Sequence, residues 1–290
     1  MKRYQRAALI GTGMIGGSLF SALKEAGAIA HAVGFDARRE VAERARSLGI
    51  VDEVAASIAE AARAADLIVL AVPVRATESI CEALAPALSP EALVTDVGST
   101  KREVLLAVFR ALPFPERFVG AHPIAGTERS GPEAADRALF SGRRCLLTPA
   151  ATTRPEALAD CIALWEKAGA RVEQMDAAHH DRLLARVSHL PHVAAFALAA
   201  AVGRAETAGI SAGGFADTTR IAASDPAMWR DVLLANRDEV LLALEALDEE
   251  LGALRRAIAG RDGAKLESLI ARAKESRRRV IDPDSEGGGR

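Results

Sequence analysis

The sequence predicts an α/β fold over residues 1–176, a mostly parallel sheet covered by helices, followed by an all-helical segment over residues 177–281. Three observations carry this. Short apolar runs without polar alternation recur between helix-like stretches, as expected of parallel strands buried on both faces. A glycine-rich turn joins the first apolar run to the first helical stretch. Near Asp176 the alternation stops, and Ala- and Leu-rich helical repeats take over.

Taken in order, strands are expected at residues 7–10, 30–35, 67–71, 93–96, 118–121, 145–148 and 171–175. Helices fall between them at 18–26, 38–48, 58–65, 76–84 and 102–111. Strand–helix repetition of this kind implies βαβ units. Beyond Asp176, helices are expected at 177–208, 225–259 and 264–279. Leu233, Leu234, Val240, Leu241, Leu244, Leu247, Leu251 and Leu254 recur near helical spacing, a stripe that reads as core or as a subunit seam. The tail 282–290, with Gly287, Gly288 and Gly289, is expected to be disordered.

Composition narrows the function classes. A formal net charge of −2 over 290 residues gives no general pull toward nucleic acid or an acidic membrane, which favours a small-molecule or protein partner. Cys81, Cys145 and Cys161 are scattered and form no CxxC pair, which fits a reducing compartment. The basic N-terminus runs into an apolar strand and a glycine turn, unlike a secretory leader. The longest apolar run, 193–202, is far short of the roughly 20 residues of a membrane span, so a cytoplasmic protein is expected.

Gly11-Thr12-Gly13-Met14-Ile15-Gly16 fits GxGxxG, and it follows a strand and opens a helix, the context that gives the pattern meaning. The first glycine permits a tight turn, the second lets the backbone approach a pyrophosphate, and the third brings helix and strand together. Asp36 closes the next strand, about 20 residues on, where an acid can bond ribose hydroxyls. The pattern therefore reads as a Rossmann-type dinucleotide site. A carboxylate at 36 repels a ribose 2′-phosphate, which favours NAD over NADP, although Arg38 and Arg39 follow at once.

Ser99 lies in Asp96-Val97-Gly98-Ser99-Thr100-Lys101, and His122 in Gly120-Ala121-His122-Pro123, both at the carboxyl ends of strands where open α/β sheets bind ligands. An imidazole there either takes a proton from a substrate hydroxyl or is satisfied by a neighbouring carbonyl. Ser188-His189-Leu190-Pro191-His192 interrupts a helical stretch, but two histidines without a third ligand make no metal site, and adjacent His179 and His180 cannot share a helix face. Arg220 offers a planar fork for a carboxylate, or an ion pair with Asp217 or Asp225.

The segments GTGMIGGSL, DVGSTK, GAHPIAGTERSG, VSHLPH and GGFADTTRIAASDPAMWRD, in this order, resemble the prephenate/arogenate dehydrogenases of tyrosine biosynthesis over residues 9–254. The resemblance implies NAD-dependent oxidative decarboxylation: hydride leaves the ring carbon that bears the hydroxyl, carbon dioxide leaves the opposite carbon, and the ring becomes aromatic. It further implies His122 as the catalytic histidine on the ring hydroxyl with Ser99 beside it, Arg220 on a substrate carboxylate, and His192 in the same pocket. Thr127 and Glu128 would sit at its mouth, and Asp217 would reach across from a partner subunit of a homodimer formed by the helical domain. Prephenate and arogenate both remain open as substrates. A β-hydroxyacid dehydrogenase is the rival enzyme, but the first long helix offers His189 and His192 where those enzymes resemble one another in a lysine–asparagine pair. A protein that binds NAD without turnover is the rival outside enzymes.

Overall fold

The computed structural model describes residues 3–126, 129–203 and 213–281, so the expectations for Thr127, Glu128 and the tail 282–290 lie outside the described residues. Eight strands form one sheet in the order β3-β2-β1-β4-β5-β6-β7-β8. Strands β1 (Ala7–Ile10), β2 (Ala32–Phe35), β3 (Glu53–Val54), β4 (Leu67–Leu70), β5 (Leu93–Asp96) and β6 (Phe118–Pro123) run parallel. Strand β7 (Arg144–Thr148) turns antiparallel to β6, and β8 (Arg171–Gln174) follows β7 in parallel. The order reverses direction beside β1, which opens a crevice at the carboxyl ends of β1 and β4.

Helices α1 (Met14–Glu25), α2 (Arg39–Ser47), α3 (Ile58–Ala62), α4 (Thr77–Leu84), α5 (Arg102–Ala111) and α6 (Pro155–Lys167) connect the strands. Alternate residues of β1 enter opposite cores: Ala7 and Leu9 pack with Phe20, Val69 and Trp165, whereas Ala8 and Ile10 pack with Val33, Ile68 and Phe118. That double burial is why these strands read as unbroken apolar runs. Two elements escape the pattern. β3 has two residues and leaves no periodic trace. Helix α6 is marked instead by Pro155 in its first turn, where a proline costs no hydrogen bond.

At the carboxyl end of β5 a fully buried ion pair joins strands and loop. Lys101 Nζ donates to Asp96 Oδ2 and to the Ala121 carbonyl (2.7 Å), while Asp96 Oδ1 accepts the Ala121 N–H (3.0 Å) and Oδ2 the Gly98 N–H (2.8 Å). Both polar groups of Ala121 are thus fixed, one residue before His122.

Beyond the sheet, α7 (Ala177–Leu184), a π turn (Ala185–His189) and α8 (Leu190–Val202) form one helix, followed by α9 (Gly213–Thr219) and α10 (Pro226–Ala235), the last capped by Asp225 accepting the Met228 N–H. The Ser188–His192 segment is therefore a rewound turn inside a continuous helix. By length and apolar composition this 26-residue helix is long enough to cross a membrane, contrary to the expectation from the run 193–202. It nonetheless buries His180, Asp181, Leu184, Ala185, His189 and Ala195, three of them polar and bonded within the domain. The expected single helix 225–259 is broken at Asn236, whose side-chain N–H groups bond the Asp181 carbonyl (2.8 Å) and His189 Nδ1 (3.1 Å).

By packing, the chain divides into two compact units, residues 1–240 and 241–290. The second contains the later part of α11 (Arg237–Ala259) and α12 (Gly263–Ile281), joined through Arg261 at φ 51° and capped by Asp262 accepting the Lys265 N–H. Much of the leucine stripe is uncovered in the monomer, with Leu234 and Leu251 each more than half exposed.

Removing one partner of the buried pair strands the other charge. Lys101→Met should lower unfolding free energy by about 3–5 kcal/mol in urea denaturation, and adding Asp96→Asn should restore part of it; a loss below about 1 kcal/mol for the single variant would show that the pair holds little together.

Candidate active site

The turn after β1 has the shape a dinucleotide requires. Gly11 sits at φ 91°, and a Cβ there would lie 2.2 Å from the Ala71 carbonyl oxygen. A Cβ on Gly16 would come within 2.7 Å of both Ala71 Cβ and Leu9 Cδ1, so only glycine lets α1 lie this close to the sheet. At Gly13, by contrast, a Cβ would meet nothing within 4 Å, and this N-cap residue of α1 has no side chain to stand in a ligand's way. The loop is tight where it must pack and open where a ligand would approach, and a helix N-terminus favours a phosphate. Asp36 Oδ2 accepts the Thr12 N–H (3.0 Å) and Oδ1 the Arg38 N–H (3.1 Å), which aims the half-buried carboxylate at the loop. These residues fit NAD.

A cavity of about 430 Å³ opens from that loop. Gly13, Met14, Ile15 and Gly16 form one wall, and Ser99 and His122 another. Arg129 and, from the helical segment, Ser188 and Trp229 complete it. Burial holds His122 well below the ordinary imidazole pKa, and the neighbouring His180, Lys101 and His189 push the same way. A neutral imidazole on a cavity wall can accept a proton at neutral pH.

Behind His122 the polar groups form a chain. His122 Nδ1 lies 2.9 Å from His180 Nε2, and His180 Nδ1 lies 2.8 Å from Asp181 Oδ1. Asp181 in turn accepts backbone N–H groups at the start of α5, from Lys101 to Oδ1 (2.8 Å) and from Arg102 to Oδ2 (2.9 Å). His180 is also held below its usual pKa, chiefly by burial, against the opposing pull of Asp181. Since His122 Nδ1 is engaged here, Nε2 is the nitrogen left for the cavity.

The other sequence-derived residues stand farther out. His192 stacks on Trp229 with ring centroids 3.7 Å apart, and its Nδ1 bonds the Ser188 carbonyl at 2.8 Å. Arg220 is close enough for its charge to lower the His192 pKa, yet neither of these two side chains lines the cavity. Asp217 is exposed on α9. His180, Asp181, Trp229 and Arg129 are the residues sequence reasoning passed over. The signal for the first two was present: His180, Asp181, Leu184 and Ala185 share one buried face, so two polar residues occupy core positions.

Residues 19–174 match a family model for the prephenate dehydrogenase nucleotide-binding domain, and residues 176–272 one for the prephenate dehydrogenase dimerization domain. The chain belongs to the prephenate dehydrogenase family. It is 39% identical over 284 residues to a cyclohexadienyl dehydrogenase of Zymomonas mobilis, covering 96% of each chain. It is 35% identical over 275 residues to a prephenate dehydrogenase of Bacillus subtilis, covering 93% of this chain and 74% of that one. Among solved structures, prephenate dehydrogenase from A. aeolicus in complex with hydroxyphenyl propionate and NAD+ superposes with a TM-score of 0.88 at 36% identity, covering 95% of this chain and 98% of that one. The family's Rossmann-type domain and helical domain are the two halves expected from the sequence.

The buried imidazoles of this family member make its stability depend on pH. His189 has its pKa lowered to about 4 by burial, and His122, His180 and His192 are lowered too. Between about 6.5 and 4 the unfolded chain binds protons that the folded one refuses, so stability rises with pH across that window. It should be full above about pH 6.5 and decline toward pH 4, before the lowered carboxylates Glu53 and Asp52 lose their partners at still lower pH. Urea midpoints at pH 7.5, 6 and 5 test this; a flat series would contradict it.

Proposed function

We propose that this chain catalyses the NAD-dependent oxidative decarboxylation of prephenate, of arogenate, or of both, giving 4-hydroxyphenylpyruvate or tyrosine. The observation that carries the reading is that His122, a neutral imidazole, shares one cavity with the open glycine turn Gly13–Gly16 and with Ser99. Gly11, Gly13, Met14, Ile15, Gly16 and Asp36 hold the dinucleotide, and the Asp36 carboxylate favours NAD over NADP. Bound there, NAD supplies the acceptor for the hydride that leaves the ring carbon bearing the hydroxyl.

His122 takes the hydroxyl proton at Nε2, with Ser99 beside it to orient the ring oxygen. When the C–C bond to the ring carboxylate breaks as carbon dioxide, its electron pair enters the ring and the oxygen regains the proton. Arg220 and His192 serve the substrate's side-chain carboxylate, Thr127 and Glu128 the mouth of the pocket, and Asp217 a partner subunit's pocket. The working form is a homodimer paired through the helical residues. The dimerization-domain match supports this, as do Leu183, Val187 and Leu198, exposed on the long helix. Three buried, unpaired cysteines support a cytoplasmic location.

Purified protein should reduce NAD with prephenate or arogenate and release carbon dioxide. His122→Asn should lower kcat about 100-fold or more with NAD affinity nearly unchanged, as for loss of a general base; full turnover by that variant would remove His122 from the role.

Two guanidinium groups compete for the substrate carboxylate, because Arg129 lines the cavity while Arg220 lies outside its lining, near His192. Arg220→Ala should chiefly raise KM, by about tenfold or more, as for a charge-assisted hydrogen bond lost. An unchanged KM there, with a rise in Arg129→Ala, would transfer the role to Arg129.

A further inference from the structure

We propose that His180 is the positioning residue of the reaction's base: held by Asp181, it takes the Nδ1 proton of His122 and so leaves the lone pair on the nitrogen that faces the cavity. The inference deepens the function proposed above and rests on His122 being the base.

Hydrogen-bond direction decides the tautomers. A carboxylate can only accept, so the 2.8 Å contact between His180 Nδ1 and Asp181 Oδ1 puts a hydrogen on Nδ1. A neutral His180 then has its lone pair on Nε2. Across the 2.9 Å contact, His122 Nδ1 must be the donor, and neutral His122 keeps its lone pair on Nε2. A protonated His180 reverses this. Its Nε2–H donates to His122, the His122 proton moves to Nε2, and the residue can no longer accept one from substrate.

Everything packed around the pair bears on which arrangement holds. Asp96 comes from the end of β5, Lys101 from the turn before α5, Asp181 from α7 and His189 from the π turn. Asp181 fixes the direction, and its other contacts are the Lys101 and Arg102 amides at the N-terminus of α5, where negative charge is favoured. Burial, Lys101 and the neighbouring imidazoles disfavour a second proton on either ring.

The reaction's own balance suits a closed pair. The hydroxyl proton taken up by His122 Nε2 is the one the ring oxygen regains when carbon dioxide leaves, so no proton need reach solvent. While it is held, the Nδ1 proton of His122 shifts to His180 Nε2, and the resulting imidazolium lies against the Asp181 carboxylate. Hydride loss removes an electron pair from the substrate, and C–C cleavage returns one to the ring. The two histidines only store a proton.

The test is ¹⁵N NMR of histidine-labelled protein at pH 7.5 without substrate, paired with kinetics of Asp181→Asn and His180→Leu. The wild type should show His122 protonated at Nδ1 and unprotonated at Nε2. In Asp181→Asn the NH₂ in place of Oδ1 donates to His180 at the loss of the Lys101 N–H bond, the amide oxygen keeps the Arg102 N–H, and both tautomers invert. Its kcat should fall about 10²–10⁴-fold, the scale of a wrong-tautomer base, while NAD affinity and substrate KM move less than about threefold. His180→Leu should lose turnover to a similar degree, with His122 in mixed tautomers. Lost turnover with the His122 tautomer unchanged in both variants would reduce His180 and Asp181 to packing and overturn the proposal; so would unchanged turnover. Because the tautomer is read without substrate, a wild type with Nε2–H would refute the positioning role even if cyclohexadienyl acids are turned over. A wild type in the expected tautomer that turns over neither acid would refute the function and leave the hydrogen-bond assignment standing.

Discussion

The Asp181 carboxylate is the junction on which the site depends. It sits on the first helix after the sheet, accepts two backbone N–H groups from the start of α5, and bonds the imidazole that backs His122. A carboxylate with three donors in place can stay buried without a large penalty, because three of the roughly four lone-pair directions that water would fill are replaced. Without those donors the helix would carry an uncompensated charge into the core. Docking of α7 to the sheet and orientation of His122 are therefore the same event.

A buried ion pair does the corresponding work on the other side of His122. Asp96 and Lys101 engage both polar groups of Ala121, so the backbone entering His122 is fixed by side chains from the preceding βα unit. Such pairs contribute little net stability compared with apolar residues of equal size. What they supply here is a direction: the positive ammonium lies near the imidazoles and disfavours a second positive charge among them. A pair of leucines would pack as well but remove that charge, leaving burial alone to hold the imidazoles low.

The sheet was legible because burial on both faces writes itself as continuous apolar runs, and seven of its strands stand within two residues of their expected bounds. The glycine turn was legible for a related reason: its residue types are dictated by backbone conformation and close approach, as the Gly11 and Gly16 contacts show. What escaped was long-range pairing of polar groups. His180 looked like one of two adjacent histidines with no shared face, and in fact His179 points out while His180 points in. Its meaning depends on His122, 58 residues earlier, and on amides at 101 and 102, and no local period encodes that. Asn236 was missed likewise, because an asparagine inside a leucine-rich stretch becomes a helix break only when its amide is consumed by groups from α7 and the π turn.

The π turn shows how one proline serves the site. Pro191 has no N–H, so a regular helix through it would leave the Val187 carbonyl without its partner four residues on. Just before the proline the helix instead winds wider, and the Leu190 N–H reaches back five residues to the Ala185 carbonyl. The extra residue in that turn rotates everything after it relative to everything before. Ahead of the turn the helix faces His180 and Asp181 to the sheet edge. Beyond it, His192 faces Trp229, with its Nδ1 bonded to the Ser188 carbonyl. A straight α-helix of the same sequence would hold one of these two faces in register and turn the other away, so the proline that breaks the helical pattern in the sequence is what lets one helix furnish both the backing of His122 and the wall of the cavity.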